Sequence, residues 1–421
     1  MDSFPSSSEC SIQSSVHRGP AARVASYGKN LDSQATPKQA NPKQATPKQA
    51  TPKQANPQQA SPNEPSLNPS ATPTSTADAM RRVYEPIAEW LLAVDARLHR
   101  ELQSRYEAIV PVLRHGTQLG GKRLRPALLL LSGLATAADR AACGNKTGDC
   151  KGDAASKPIT LSEDHIVMAT VVEMVHTATL VHDDVLDKAD TRRHVPTINA
   201  RWNDDTSILL GDYLFAQSFY LAATLPSTLA CRWVGQAAQR VCEGELRQIL
   251  GRDWLDIDEE TYLDIIRGKT AELTNVSCRL GAQLSGADDV VVNAMAVYGN
   301  DLGIAFQIAD DFLDLWGDGD EVGKTLGTDL AQGKITLPLI RLLRHENTSI
   351  ASEALDALRS APDDRLARVM PLLRQSDAAE YTRGVANRYR KSAITAIELL
   401  APSAAQESLI RIADFSVDRR F

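Results

Sequence analysis

The sequence predicts an all-α domain of ten or more helices behind a long N-terminal tail that cannot build a core. Two observations carry this. From Met80 almost to Phe421 apolar residues recur at helical spacing, as when Ile87, Leu91, Val94 and Leu98 fall on one face. The same stretch has no series of period-two strands, and its Gly and Pro residues fall mostly between the helical segments. With 421 residues, 43% of them hydrophobic, the chain can bury a substantial core.

Residues 1–78 form the expected tail. From Ala35 a five-residue unit repeats as ATPKQ, ANPKQ, ATPKQ, ATPKQ, ANPQQ. A Pro in every unit denies helix, and the lack of apolar residues denies a core, so a solvated, polyproline-prone extension is expected. The Ser-rich start with Arg18 and Arg23 faintly suggests a transit peptide. Asp2, Glu9 and Asp32 and the missing apolar face favour a plain disordered extension.

The domain is expected over 79–421. Pro86 sits acceptably in a first helical turn. The apolar run ALLLLSGLATAA from Ala127 is too short to span a bilayer and is interrupted by Ser132 and Gly133, so no transmembrane helix is expected. The polar segment from Asp139 to Lys157 reads as a loop insertion. VVEMVHTATLV then reads as a buried helix leading into HDDVLD, and GNDLGIAFQ as another leading into IADDFLD.

The formal net charge of −7 argues against a nucleic-acid binder that works through a basic surface. Cys10, Cys143, Cys150, Cys231, Cys242 and Cys278 are scattered without a CxxC pair, which fits a reducing, cytoplasmic setting. Cys143 and Cys150 flank a polar GNKTGD stretch and could bridge.

Asp183 and Asp187 are four residues apart, one above the other on a helix, with Asp184 beside them. A solvated acidic face is the ordinary reading of one such pair. Here the cluster ends an apolar helix, and the spacing recurs as Asp310, Asp311 and Asp314. Two all-oxygen clusters facing each other would suit Mg²⁺, which keeps waters and bridges to substrate phosphates. Cations surround them at Gly-marked loops: Lys122, Arg123 and Arg125 in GGKRLRP, Arg192 and Arg193 in DTRRHVPTIN, Lys269 and Thr270 in RGKTAEL, Lys324 and Lys334 in GKTLGTDLAQGKITLP. Arginine forks and lysine ammonium groups are the usual diphosphate grips.

These motifs, in this order and across about residues 80 to 421, resemble the diagnostic motifs of the trans-isoprenyl diphosphate synthases. His194 stands where that family usually has Gly, and the N-terminal repeat has no family counterpart. The resemblance implies the isoprenoid synthase fold, antiparallel helices around a deep central cavity, and Mg²⁺-dependent head-to-tail prenyl transfer. It implies that Asp183, Asp187 and Asp310, assisted by Asp184, Asp311 and Asp314, hold Mg²⁺ on an allylic diphosphate. Arg192, Lys269 and Lys324 would grip that diphosphate, and Lys122, Arg125, His176 and Arg193 would bind isopentenyl diphosphate. A lone His on an apolar helix is more often a satisfied core residue; the position of His176 seven residues before Asp183 matches the family's ligand. Thr270 and Gln307 would line the path of the cation. A homodimer is implied, with the hydrophobic product leaving at a membrane surface.

Chain length is read from Ala178 and Thr179, one turn before Asp183, where bulky aromatics in the family close the cavity early. Both are small, and Val175, Met174, Val172 and Val171 follow, so no aromatic floor is met for roughly three turns, about 16 Å. EMVHTATLVHDDVLD also resembles the long-chain branch, octaprenyl and related synthases that make quinone side chains. A product of about C30 to C50, near C40, is therefore expected. The alternative is a large side chain on a neighbouring helix that closes the cavity and gives a farnesyl- or geranylgeranyl-type product. Two further readings compete: a terpene cyclase, which usually lacks the second DDxxD, and a non-catalytic subunit of a heteromeric synthase, which tends to lose aspartates that this chain keeps.

Overall fold

The computed structural model describes residues 81–118, 121–147, 160–317 and 326–418. The tail assigned to residues 1–78 lies outside these. A single 3₁₀ turn at Glu85–Ile87, holding Pro86, leads into α1 (Ala88–Glu101). The helices α2 (Val110–Gln118), α3 (Leu124–Thr147) and α4 (Glu163–Leu186) follow. A short hairpin, β1 (Thr191–Arg192) and β2 (Val195–Pro196), then precedes α5 (Ile198–Arg201), α6 (Asp204–Ala222), α7 (Thr228–Leu250) and α8 (Glu259–Ile266). A π-helical turn (Arg267–Ala271) joins α8 to α9 (Glu272–Leu284), and α10 (Asp289–Trp316) comes next. The chain closes with α11 (Thr328–Ala331), α12 (Leu337–Leu343), α13 (Thr348–Leu358), α14 (Pro362–Gln375), α15 (Ala378–Ala396) and α16 (Ala404–Val417).

Helix α4 is apolar on nearly every side, and a helix of that kind must be enclosed by others. It packs on α1, α3 and α6. Val171, Val172, Met174 and Val175 are fully buried, each worth about 1.5–3 kcal/mol relative to exposure. Its start is set at Ser162, whose backbone N–H donates to His165 Nδ1 at 3.1 Å in the manner of a capping box, and Glu163 and Asp164 favour the positive end of the helix dipole. Helix α10 is similarly enclosed, between α9 and α15.

Close crossings bring these pieces together. A Cβ on Gly281 of α9 would lie 2.1 Å from Leu129 O of α3, and one on Gly303 of α10 would lie 2.5 Å from Ala271 Cα. Only glycine allows α9 to touch α3 and α10 to press on the π-turn. One apolar cluster surrounds α3, α4, α6 and α9; a second gathers Tyr262, Ile304, Ile308 and the residues of α12 to α15.

Two local expectations are revised. The segment from Asp139 is not loop at its beginning: α3 continues to Thr147, because Ala137, Ala138, Ala141 and Ala142 favour helix. Asp139 and Arg140 are also tied down, to Ala401 N–H at 2.9 Å and Ser285 O at 2.6 Å. Residues 148–159, including Cys150, lie outside the described residues. The stretch holding the paired arginines is a two-stranded hairpin rather than an unpaired loop.

Candidate active site

Along α4, His176, Thr179, Asp183 and, at the C-cap, Asp187 are half-buried and spaced three or four apart on one stripe; Leu180, His182 and Val185 near the same end are half-buried as well. Asp184 is turned off that stripe and is 1% exposed. Its Oδ1 accepts from Arg192 Nε at 2.9 Å and Nη2 at 2.7 Å, while its buried Oδ2 has no partner. Burial, opposed by Lys269 and reinforced by Glu245 and Asp187, pushes the Asp183 carboxyl up to about 6.

The second cluster repeats this division. Asp310 and Asp314 are half-buried and share a face of α10, whereas Asp311 is 3% exposed. Asp311 Oδ2 accepts from the Tyr262 hydroxyl at 2.6 Å, and Oδ1 from Gln307 Nε2 at 2.7 Å. Burial and the nearby Asp329 raise Asp311 to about 8 and Asp314 to about 6. Asp314 is held by the backbone N–H groups of Thr328 and Asp329, at 3.1 and 3.2 Å.

Lys334 joins the two clusters. Its Nζ lies 3.1 Å from Asp329 Oδ1 and 4.0 Å from Asp187 Oδ1. Burial disfavours its charge, yet Asp329, Asp187 and Glu245 raise the ammonium above its ordinary value, so it stays protonated. Arg252 approaches Asp187 from the other side at 3.7 Å.

The π-turn delivers Lys269 and Thr270. It is wedged against α7 at Gly244, where a Cβ would come within 2.5 Å of Lys269 N. The extra residue in the turn re-aims the side chains that follow, a common use of π-bulges. Lys269 Nζ meets Glu245 at 2.5 Å and Gln248 at 2.7 Å, and Thr270 Oγ1 donates to Gln307 Oε1 at 2.7 Å.

A cationic rim surrounds His176. Burial, with the guanidinium groups of Arg125, Arg192, Arg193 and Arg123, drives His176 well below its ordinary value, so it is neutral at pH 7. Arg123 is committed to structure, bonding Asp95 at 2.9 Å and the buried Glu173 at 2.8 Å. Arg125 is pulled by burial, partly offset by Glu173, down to about 10, and its buried Nε has no partner. Arg193 lies against Gly121, whose Cβ would meet its guanidinium at 2.4 Å, so the GGKRLRP and paired-arginine segments touch. In the hairpin Arg192 pairs with Val195, leaving Arg193 and His194 as the two turn residues with φ of 52° and 64°. That is the geometry of a type I′ turn, which explains why glycine suits the His194 position.

Lys122 sits with its Nζ 5.9 Å from the Phe415 ring centroid. Ala178 is fully buried in the core, whereas Thr179 lies on the half-buried stripe and donates to His176 O at 2.8 Å. Lys324 falls outside the described residues. Sequence reasoning missed Glu245, Gln248, Tyr262 and Asp329. Asp329 lay inside a quoted motif, and Glu245 and Gln248 share a helix face three residues apart; only the fold links them to Lys269 and Lys334.

Among the described residues no three His, Cys, Asp or Glu side chains already form a metal cage. The donors are nonetheless all oxygen, crowded, and raised in pKa at Asp183 and Asp314. Such a set fits a hard divalent cation held by one or two carboxylates and completed by waters and substrate phosphates.

A family model described as polyprenyl synthetase matches residues 107–372. An all-trans-nonaprenyl-diphosphate synthase (geranyl-diphosphate specific) from Rhodobacter capsulatus is 31% identical over 342 residues, 81% of this chain and 98% of its own. Heptaprenyl diphosphate synthase component 2 from Geobacillus stearothermophilus is 33% identical over 327 residues, 78% of this chain and 95% of its own. The crystal structure of a polyprenyl synthase from Caulobacter crescentus, complexed with calcium and isoprenyl diphosphate, matches with a TM-score of 0.69 at 30% identity, covering 81% of this chain and 98% of that one. The two aspartate clusters and the arginine rim therefore sit in a chain that belongs to the polyprenyl synthetase family, a prenyltransferase with the all-α isoprenoid synthase fold that elongates prenyl diphosphates.

Proposed function

We propose that this chain condenses isopentenyl diphosphate head to tail with an allylic diphosphate, in a Mg²⁺-dependent reaction, to make a long-chain all-trans polyprenyl diphosphate of about C30 to C50. The observation that supports the reading is the bridge from Asp187 through Lys334 to Asp329, whose backbone N–H donates to Asp314, so that one lysine links the two aspartate motifs.

Asp183, Asp187, Asp310 and Asp314 would hold Mg²⁺, with Asp184 and Asp311 buried behind them. Bound Mg²⁺ supplies Lewis acidity to the departing diphosphate. Lys269, Lys334, Arg192 and Lys324 neutralise the charge that develops there as the allylic C–O bond opens. Lys122, Arg125 and Arg193, with neutral His176, hold the diphosphate of isopentenyl diphosphate. Its double bond attacks the allylic cation, and a proton is then lost to the released diphosphate. Thr270 and Gln307 face the cation with neutral dipoles, and the apolar walls of α4 exclude water that would trap it.

A homodimer is supported by exposed apolar side chains on α6 and α7: Ile208, Leu209, Tyr220, Leu246 and Leu250. Among the described residues no helix is long and apolar enough to cross a membrane. The test is incorporation of labelled isopentenyl diphosphate by the purified chain alone, with Mg²⁺ and with chelator. Turnover with Mg²⁺ that chelator abolishes is expected. No turnover unless a second subunit is added would make this chain one component of a heteromeric enzyme.

A further inference from the structure

We propose that Tyr262 is a positioning residue for prenyl transfer, acting through Asp311 to fix which end of the Gln307 amide faces the reacting carbons. The inference rests on the reading above that Gln307 and Thr270 line the path of the allylic cation.

A glutamine amide can sit either way round in a slot of given shape, and its hydrogen-bond partners decide. The partner of Gln307 on one side is Asp311, whose other oxygen is taken by the Tyr262 hydroxyl. Gln307 turns Nε2 toward Asp311 Oδ1, at 2.7 Å, and leaves Oε1 toward the π-turn. There the Thr270 hydroxyl donates to Oε1 at 2.7 Å, so its own lone pairs point onward. Both residues then present the negative ends of their dipoles to a site where positive charge develops. A preset dipole of this kind stabilises a cation without reorganising during the reaction.

The arrangement holds only while Asp311 is itself fixed. Its second oxygen accepts from Tyr262, delivered by α8 from the far side at 2.6 Å. Tyr262 and Asp311 are each 3% exposed, so no bulk water replaces the phenol if it is removed. Without that hydroxyl Asp311 Oδ2 is buried and unsatisfied, and the carboxylate is free to turn toward Asp310 and Asp314. The Gln307 amide then loses the contact that chose its orientation. Tyr262 itself touches neither substrate nor cation.

The experiment is a double-mutant cycle on the full-length chain with Tyr262→Phe, Gln307→Met and the two combined. Tyr262→Phe should lower kcat about 10- to 100-fold, with KM for isopentenyl diphosphate within about twofold of wild type. The double variant should be no slower than Gln307→Met alone, because Tyr262 acts only through Gln307. In metal-free protein each single change should lower the thermal midpoint by about 2–6 °C, again without adding in the double variant. Wild-type kcat in Tyr262→Phe, or multiplicative losses in the double variant, would overturn the proposal. A wild-type chain with no prenyl transfer would instead overturn the functional reading, and the thermal cycle would still decide whether the relay exists.

Discussion

Asp183 shows what a single side chain at this site does. It is a carboxylate on a buried helix, beside Glu245 and Asp187, with Lys269 and Arg192 opposing the rise. Its carboxyl sits near 6 and not at its ordinary value, so the folded chain holds that proton more tightly than the unfolded one. Stability of the metal-free protein therefore falls as pH rises from about 4 through about 6, a loss to which Asp314 adds. Asp183→Asn should flatten part of that fall and raise the midpoint near pH 7 in chelator; melts at about pH 5 and pH 7.5 check it, and an unchanged difference between the two would count against the burial argument. The same residue is proposed to be required for turnover. Asp183→Ala or Asp310→Ala should cost about 10²- to 10⁴-fold in kcat with the helical circular dichroism intact, and near-normal turnover in either would remove the metal assignment.

At the scale of elements, the hairpin and the central helix make separate predictions. His194 holds a left-handed φ of 64°, a conformation that costs a non-glycine residue about 1–2 kcal/mol. His194→Gly should leave or slightly raise the thermal midpoint, whereas His194→Val should lower it and weaken the use of isopentenyl diphosphate by displacing Arg193; equal midpoints for the two variants would argue against the strained turn. On α4, Ala178 is fully buried and Thr179 half-buried, so the two chain-length candidates face different surroundings. Ala178→Phe must displace its apolar neighbours, and a product shortened to about C15 or C20 is the expected outcome on chromatography of the dephosphorylated products. The helical architecture and both DDxxD clusters were legible in the sequence because apolar periodicity and short spacings are local properties. Residues such as Tyr262 and Asp329 were not, since nothing local in DEETYL or GTDLAQ says that a phenol will meet Asp311 or that an aspartate will meet Lys334. The π-turn was hidden for the same reason: RGKTAEL reads as a Gly-marked loop, and only the fold shows it to be a helical π-turn pressed on by Gly244 of α7.

For the whole molecule, the sequence sets a helical domain apart from a repeat that has no apolar material to bury. Deleting residues 1–78 should leave kcat within about twofold and the thermal midpoint within a degree or two, and a large loss of either would mean that the repeat docks on the domain. The central claim is that the full chain, alone and with Mg²⁺, extends an allylic primer well beyond the short products. The most direct measurement is chromatography of dephosphorylated products from wild-type protein supplied with excess labelled isopentenyl diphosphate. A ladder ending between about C30 and C50, strongest near C40, is the predicted result. A product that stops at about C15 or C20 would contradict it and place a floor in the cavity that the small residues on α4 do not supply.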